Sequence, residues 1–230
     1  MAAVMEMLQE PAPGKAGHTI VLDADLRRHL LEALLTPMRP RKMTYNEFLA
    51  WANEDTLAEW VDGEVQIHSP ASEQHQDLSF FLAQIMDIYS KSKRLGKILL
   101  PPFQMKLPRS GREPDLIFVA TGHLDRLKPT FLDGPADLVV EVISTESLAR
   151  DRGEKFYEYE EAGIPEYWLI DPIRERVEFY RLDAQGRYDL ILPDVDGVYR
   201  TPILPGFWLR VAWLWSPPAP LTVLRELQLI

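Results

Sequence analysis

The sequence predicts an α/β or α+β fold, a mixed sheet flanked by helices. Three observations lead there. Two apolar runs of strand length, Leu116-Ile117-Phe118-Val119 and Leu138-Val139-Val140-Glu141-Val142-Ile143, are separated by a polar, proline-containing crossover from Leu124 to Asp133. A helical segment from Ser147 to Ala162 follows the second run, stops at Gly163 and leads into a third run, Glu166 to Asp171. A long amphipathic helix from Ser72 to about Lys93 precedes them all, with Leu78, Phe81, Leu82, Ile85, Met86 and Tyr89 on one face. Strands interleaved with helices bury their apolar surfaces as a helix-flanked sheet.

The remaining elements follow in order. Residues 1 to 18 contain Pro11, Pro13, Gly14 and Gly17 without a clean period, which reads as a loose arm. Asp25 to Leu35 reads as a short helix with Leu26, Leu30, Leu31 and Leu34 at helical spacing, ended by Pro37 and Pro40. It packs either on a second subunit, giving a homodimer, or on its own domain. Thr44 to Asn53 is a helix in which Thr44 and Glu47 form a capping box. Trp60 to Ile67 is a hairpin turning at Asp62-Gly63. Gly96 is placed for a left-handed cap of the long helix. Lys97 to Leu107 supplies one or two strands broken at Pro101-Pro102, and Ser110-Gly111 turns the chain towards Asp115. After Asp171, Pro172 to Arg176 is a turn and Val177 to Leu182 the returning strand. Gly186 and Gly197 mark further turns, and Thr201 to Trp215 closes an edge over the core with Phe207, Trp208, Trp213 and Trp215.

Composition narrows the chemistry. The 230 residues include no cysteine, so thiolate sites are excluded and any metal must be held by oxygen or imidazole. No apolar run is long enough to span a bilayer, and no leader pattern opens the chain, so a cytoplasmic protein is expected. The net charge of −10 opposes general nucleic-acid binding. The stretch after Asp87 softens that objection: up to Glu113 it carries Lys91, Lys93, Arg94, Lys97, Lys106, Arg109 and Arg112 and no acid. It is either a solvated face or a patch near the site that meets phosphates.

Glu141 is the least ordinary residue. A carboxylate inside Val-Val-Glu-Val-Ile requires a salt bridge or a cation. Asp115 opens a neighbouring strand after Pro114, and by itself is an ordinary solvent-facing aspartate. Together the two suggest a cation held between strands. Lys155 lies four residues after Asp151 on one helix face; the plain reading is a surface ion pair, the sharper one a lysine reaching the end of the Glu141 strand. Tyr159 either buttresses that site or is core. Glu59 is a candidate third carboxylate, and His75 opens the long helix, where histidines are usually decoration. Two carboxylates and a lysine suit metal-assisted phosphodiester hydrolysis, while the spacing does not exclude glycosidase chemistry. There is no glycine-rich phosphate loop, nucleophile elbow or zinc-spaced histidine pair.

The sequence resembles the Uma-two family, a large bacterial group read as endonucleases of the PD-(D/E)XK nuclease superfamily. The resemblance rests on Glu59-Trp60-Val61-Asp62-Gly63-Glu64, His75, Glu113-Pro114-Asp115-Leu116, Leu138 to Ser144, Asp151-Arg152-Gly153-Glu154-Lys155, Tyr159, Gly163 and Glu166 to Pro172. It covers roughly Thr44 to Trp215, and implies a restriction-endonuclease-like central mixed sheet flanked by helices, with a site of Asp and Glu. The organisation is then an N-terminal arm, 1–42, a nuclease-like domain, 43–216, and a C-terminal tail, 217–230. The superfamily pattern would place a lysine at 143, where this chain has Ile143; the resemblance suggests that Lys155 takes over from the following helix. The expected protein is a metal-dependent endonuclease acting on DNA. Asp115, Glu141 and the Val142 carbonyl hold Mg2+ or Mn2+, Lys155 positions water or offsets charge, and Glu59 completes the shell. The rival is a catalytically silent binding or assembly module on the same fold.

Overall fold

The computed structural model describes residues 42–53, 56–67, 70–144 and 147–230. The helix expected over Asp25–Leu35, and the dimer contact expected of it, lie outside the described residues. Helix α1 (Tyr45–Trp51) begins at the expected capping box: the Glu47 N–H donates to Thr44 Oγ1 and the Thr44 N–H to Glu47 Oε2. Strands β1 (Ala58–Val61) and β2 (Glu64–Ile67) form the hairpin. Asp62 and Gly63 both have positive φ, +48° and +91°, as a tight primed turn requires.

Helix α2 (Glu73–Lys93) is capped by Ser72. Its left-handed terminus is Arg94, with φ 55°, and not Gly96. Gly96 instead opens β3 (Gly96–Leu99). A Cβ there would lie 2.1 Å from the Val119 carbonyl oxygen and 2.7 Å from the Phe118 ring, so close strand approach, not capping, requires the glycine. Ser110-Gly111, expected as a turn, is also strand. After β4 (Gln104–Lys106), β5 (Ser110–Arg112) pairs with both β4 and β1.

Next come β6 (Leu116–Ala120), a 3-10 turn at Thr121–Arg126, β7 (Phe131–Asp133) and β8 (Leu138–Val142). A wide helical turn at Arg150–Lys155 runs into α3 (Phe156–Glu161), which ends at Gly163 with φ 74°. The chain closes with β9 (Glu166–Asp171), β10 (Arg176–Leu182), β11 (Tyr188–Ile191), β12 (Val198–Arg200), β13 (Trp208–Arg210), α4 (Ala212–Trp215) and α5 (Pro220–Glu226). The segment 217–230 thus carries a helix, and its Val223, Leu224 and Leu227 are buried.

A six-stranded mixed sheet, ordered β11-β10-β9-β8-β6-β3, forms the centre; β8 and β9 are parallel and the other pairs antiparallel. A five-stranded sheet, β2-β1-β5-β4-β7, stands beside it. The central sheet is buried on both faces, which explains the nearly unbroken apolar runs. Leu116, Phe118, Val140 and Trp168 pack with Leu82, Ile85 and Met86 of α2. Ile117, Val119, Val139 and Ile143 share the other core with Tyr159, Tyr167 and Leu169. Among the described residues no helix is long and apolar enough to cross a membrane.

Gly96→Ala is expected to lower stability by about 1–3 kcal/mol through overpacking against a backbone oxygen. Gly122→Ala, which meets nothing within 4 Å, serves as the control. Urea midpoints at constant m measure both.

Candidate active site

Strand register places the two carboxylates. In the antiparallel pair of β6 and β8, Leu116 stands opposite Val140. Continuing that register by one residue sets Asp115 across from Glu141, on the same face of the sheet. Asp115 Oδ2 accepts the Val142 N–H at 2.7 Å, and Oδ1 lies 3.1 Å from His75 Nε2 at the start of α2. The histidine rated as decoration therefore belongs to the site.

Lys155 arrives from the opposite side. Its side chain is buried, with Nζ 2.9 Å from Glu141 Oε1, 3.1 Å from Glu59 Oε1 and 3.5 Å from Asp151 Oδ1. The Asp151–Lys155 pair is interior and not a surface bridge. Tyr159 is both core and buttress: it is wholly buried, and its hydroxyl donates to Glu141 Oε1 at 2.7 Å. The wide turn that carries Asp151 and Lys155 winds i→i+5, a geometry frequent at functional sites. It is tied to the central sheet by Tyr167 Oη on the Asp151 carbonyl and by Arg152 on Glu178.

Glu59, on β1, has both oxygens engaged. Oε1 accepts the Glu113 N–H and faces Lys155; Oε2 takes Arg112 Nη1 at 3.1 Å. It is placed to hold Lys155. Arg112 was expected on a basic surface, yet it is fully buried and also binds Glu154 and Glu158. The signal in the sequence was Glu154 and Glu158 one helical turn apart, which present two acids to one partner.

Three more cations of the expected basic patch are also paired with acids. Lys106 pairs with Asp133, Arg109 with Asp62 and Lys91 with Asp87. Lys91, Lys93 and Arg94 sit at the far end of α2 from His75, roughly 27 Å away at 1.5 Å per residue. The stretch does not form one phosphate-facing surface beside the site.

A cleft of about 560 Å³ opens at the two carboxylates. Its walls hold Glu59, Glu113, Asp115, Glu141 and Asp151 against Lys155, Arg150 and His75. Burial raises the Glu141 carboxyl against the pull of the Lys155 ammonium, with Asp151, Asp115 and Glu59 adding to the rise. Burial opposes protonation of Lys155, but Glu141, Glu59 and Asp151 outweigh it and hold the ammonium charged. His75 is likewise raised: burial works against its charge, and Asp115, the Val142 carbonyl and Asp151 overcome it. Asp151 Oδ1 is buried and has no hydrogen-bond partner among the described residues.

A divalent cation fits this surplus of negative charge. The oxygen donors within reach are Asp115, Glu141 and the Val142 carbonyl. Among the described residues no three His, Asp or Glu side chains gather at metal-ligand spacing. A cation here would thus be held by at most two such side chains, a carbonyl and water.

Comparison with known proteins agrees with the geometry. Residues 45–212 match the sequence model of the Uma2 family, described as "putative restriction endonuclease". The fold is similar to the crystal structure of a "putative nuclease belonging to DUF820" from Anabaena variabilis, with TM-score 0.65 and 17% identity over 76% of this chain and 98% of that one. No curated protein matches.

Arg112→Met leaves Glu59 buried without its guanidinium and is expected to cost about 3–5 kcal/mol. Arg109→Met breaks only an exposed pair and should barely move the same thermal or urea midpoint.

Proposed function

The chain belongs to the Uma2 family, and from that premise we propose that its cleft is the site of a divalent-metal-dependent endonuclease hydrolysing phosphodiester bonds in DNA. The observation that carries the proposal is the register that faces Asp115 with Glu141, joined to the Lys155 ammonium on Glu141. Asp115, Glu141 and the Val142 carbonyl would hold Mg2+ or Mn2+. When bound, the ion supplies Lewis acidity at the phosphoryl oxygen and acidifies water.

The chain's own residues do the rest. Lys155 offsets negative charge that develops on the phosphoryl group and orients the attacking water. Glu59 fixes the ammonium in place, and Arg112 fixes Glu59. Tyr159 holds Glu141 Oε1 so that the carboxylate cannot rotate away. The acidic walls oppose a polyanion, so DNA is expected to bind in Ca2+ far more tightly than in EDTA. A homodimer is part of the proposal, and mass in solution reads it.

A second reading, a catalytically silent nuclease fold that binds or assembles, is favoured by one observation. Lys155 is 3% exposed and already meets three carboxylates. Two measurements separate the readings. Mg2+ or Mn2+ should raise the melting temperature of the wild type, because the ion binds only the native state, and Asp115→Ala should lose the shift. Plasmid and branched-DNA cleavage should fall roughly 10²–10⁴-fold in Lys155→Ala. A wild type that shows the thermal shift but cuts none of these substrates would favour the silent fold.

A further inference from the structure

His75 is not explained by packing. It is the third residue of α2, and its N–H is taken by the Ser72 hydroxyl, so the ring leans back over the helix start towards the sheet end. Its side chain is 14% exposed and lines the cleft. Nε2 faces Asp115 Oδ1 at 3.1 Å, and the Val142 carbonyl lies against the same imidazole. The other nitrogen, Nδ1, is buried without a hydrogen-bond partner among the described residues. A histidine serving only the fold would normally satisfy both nitrogens.

Asp115 divides its oxygens in a way that points to a ligand. Oδ2 is spent on the Val142 N–H, leaving Oδ1 towards the imidazole. Three donors therefore converge from three elements: a carboxylate oxygen before β6, a carbonyl at the end of β8 and an imidazole nitrogen on α2. The 3.1 Å between nitrogen and oxygen is also the separation of neighbouring ligands around a six-coordinate ion. Bonds of ~2.1 Å at right angles give an edge of ~3.0 Å. A cation can replace the bridging proton with little movement of either side chain.

We propose that His75 Nε2 is a ligand of the divalent cation. With Asp115 Oδ1 and the Val142 carbonyl it makes a mixed oxygen–nitrogen site that selects Mn2+, or another first-row transition ion, over Mg2+. Imidazole is a borderline ligand that strengthens binding of first-row ions, whereas Mg2+ keeps to oxygen and water. The inference rests on the reading that the cleft binds a divalent cation.

The test uses the full-length, metal-free protein and does not need cleavage. Mn2+ and Mg2+ are titrated separately by calorimetry, and the Mn2+ complex is frozen for pulsed electron paramagnetic resonance. The wild type should show a nitrogen-14 modulation from a directly bound imidazole. His75→Asn should remove that modulation and lower the preference for Mn2+ over Mg2+ at least ~10-fold. Asp115→Ala should weaken both ions. Bound Mn2+ without nitrogen coupling in the wild type would overturn the proposal and leave His75 as a positioning residue for Asp115, and this outcome needs no variant. A His75→Asn protein with unchanged ion preference would overturn it equally. Failure of the wild type to bind either ion would remove the cation reading itself along with the proposal.

Discussion

Setting Glu141 in the middle of an apolar strand costs free energy unless the carboxylate is paired and hydrogen-bonded, and the surrounding elements are arranged to meet that demand. Lys155 and Tyr159 both address Oε1. Lys155 in turn needs more than one anion to remain charged in the interior, and Glu59 and Asp151 supply them. Glu59 is itself buried and takes Arg112; Arg112 takes Glu158 and Glu154, of which Glu154 is half exposed. The result is a line of alternating charge from the centre of the sheet to solvent. Each buried ion is tolerable because the next one along has the opposite sign. The line does not balance: Asp115 and Asp151 add negative charge at its inner end, and that residue of charge is what a cation would meet.

The same line explains why two sheets are needed. Glu59 and Arg112 belong to β1 and β5 of the smaller sheet, whereas Glu141 belongs to the larger. The chain passes from one sheet to the other through Glu113-Pro114-Asp115. Proline at 114 removes a backbone donor at the crossing and holds Glu113 extended. Glu113 then gives its N–H to Glu59 and takes Gln104 Nε2 on its side chain. Gln104 also reaches the Ala58 carbonyl and accepts from Tyr45 of α1. A change in the smaller sheet therefore acts on the site through Glu59, without touching either carboxylate that would hold a cation.

Much of this was legible in the sequence. The capping box at Thr44, the Asp62-Gly63 turn, the strands around Glu141 and Asp115 and the lysine on the following helix all carry local signals. Those signals survive because local geometry and tertiary burial favour the same conformation. What was not legible depended on contacts between residues far apart in the chain. Gly96 looks like a helix cap until Val119 is seen against it. Ser110-Gly111 looks like a turn, but the ladder with β1 and β4 draws it into a strand. Arg112 looks like one more cation in a basic stretch; only the approach of Glu59 and Glu158, 53 and 46 residues away, turns it inward. His75 was undervalued because nothing local ties it to Asp115.

The surroundings of position 143 show why the ammonium beside Glu141 comes from the helix. Ile143 shares its face of β8 with Glu141 and is 2% exposed, in the same apolar core as Tyr159, Tyr167 and Leu169. An ammonium at that position would have to give up its hydration among aromatic and aliphatic neighbours, with Glu141 as its main compensation. Delivered from the helix, the ammonium meets Glu141, Glu59 and Asp151 together, and the apolar position is left to pack. The consequence is a dependence on the smaller sheet. A lysine on the strand would need only its own glutamate, whereas Lys155 needs Glu59, and Glu59 needs Arg112. Delivery of the ammonium from the helix thus ties the second sheet to Glu141 and accounts for an arginine with no exposed surface at its edge.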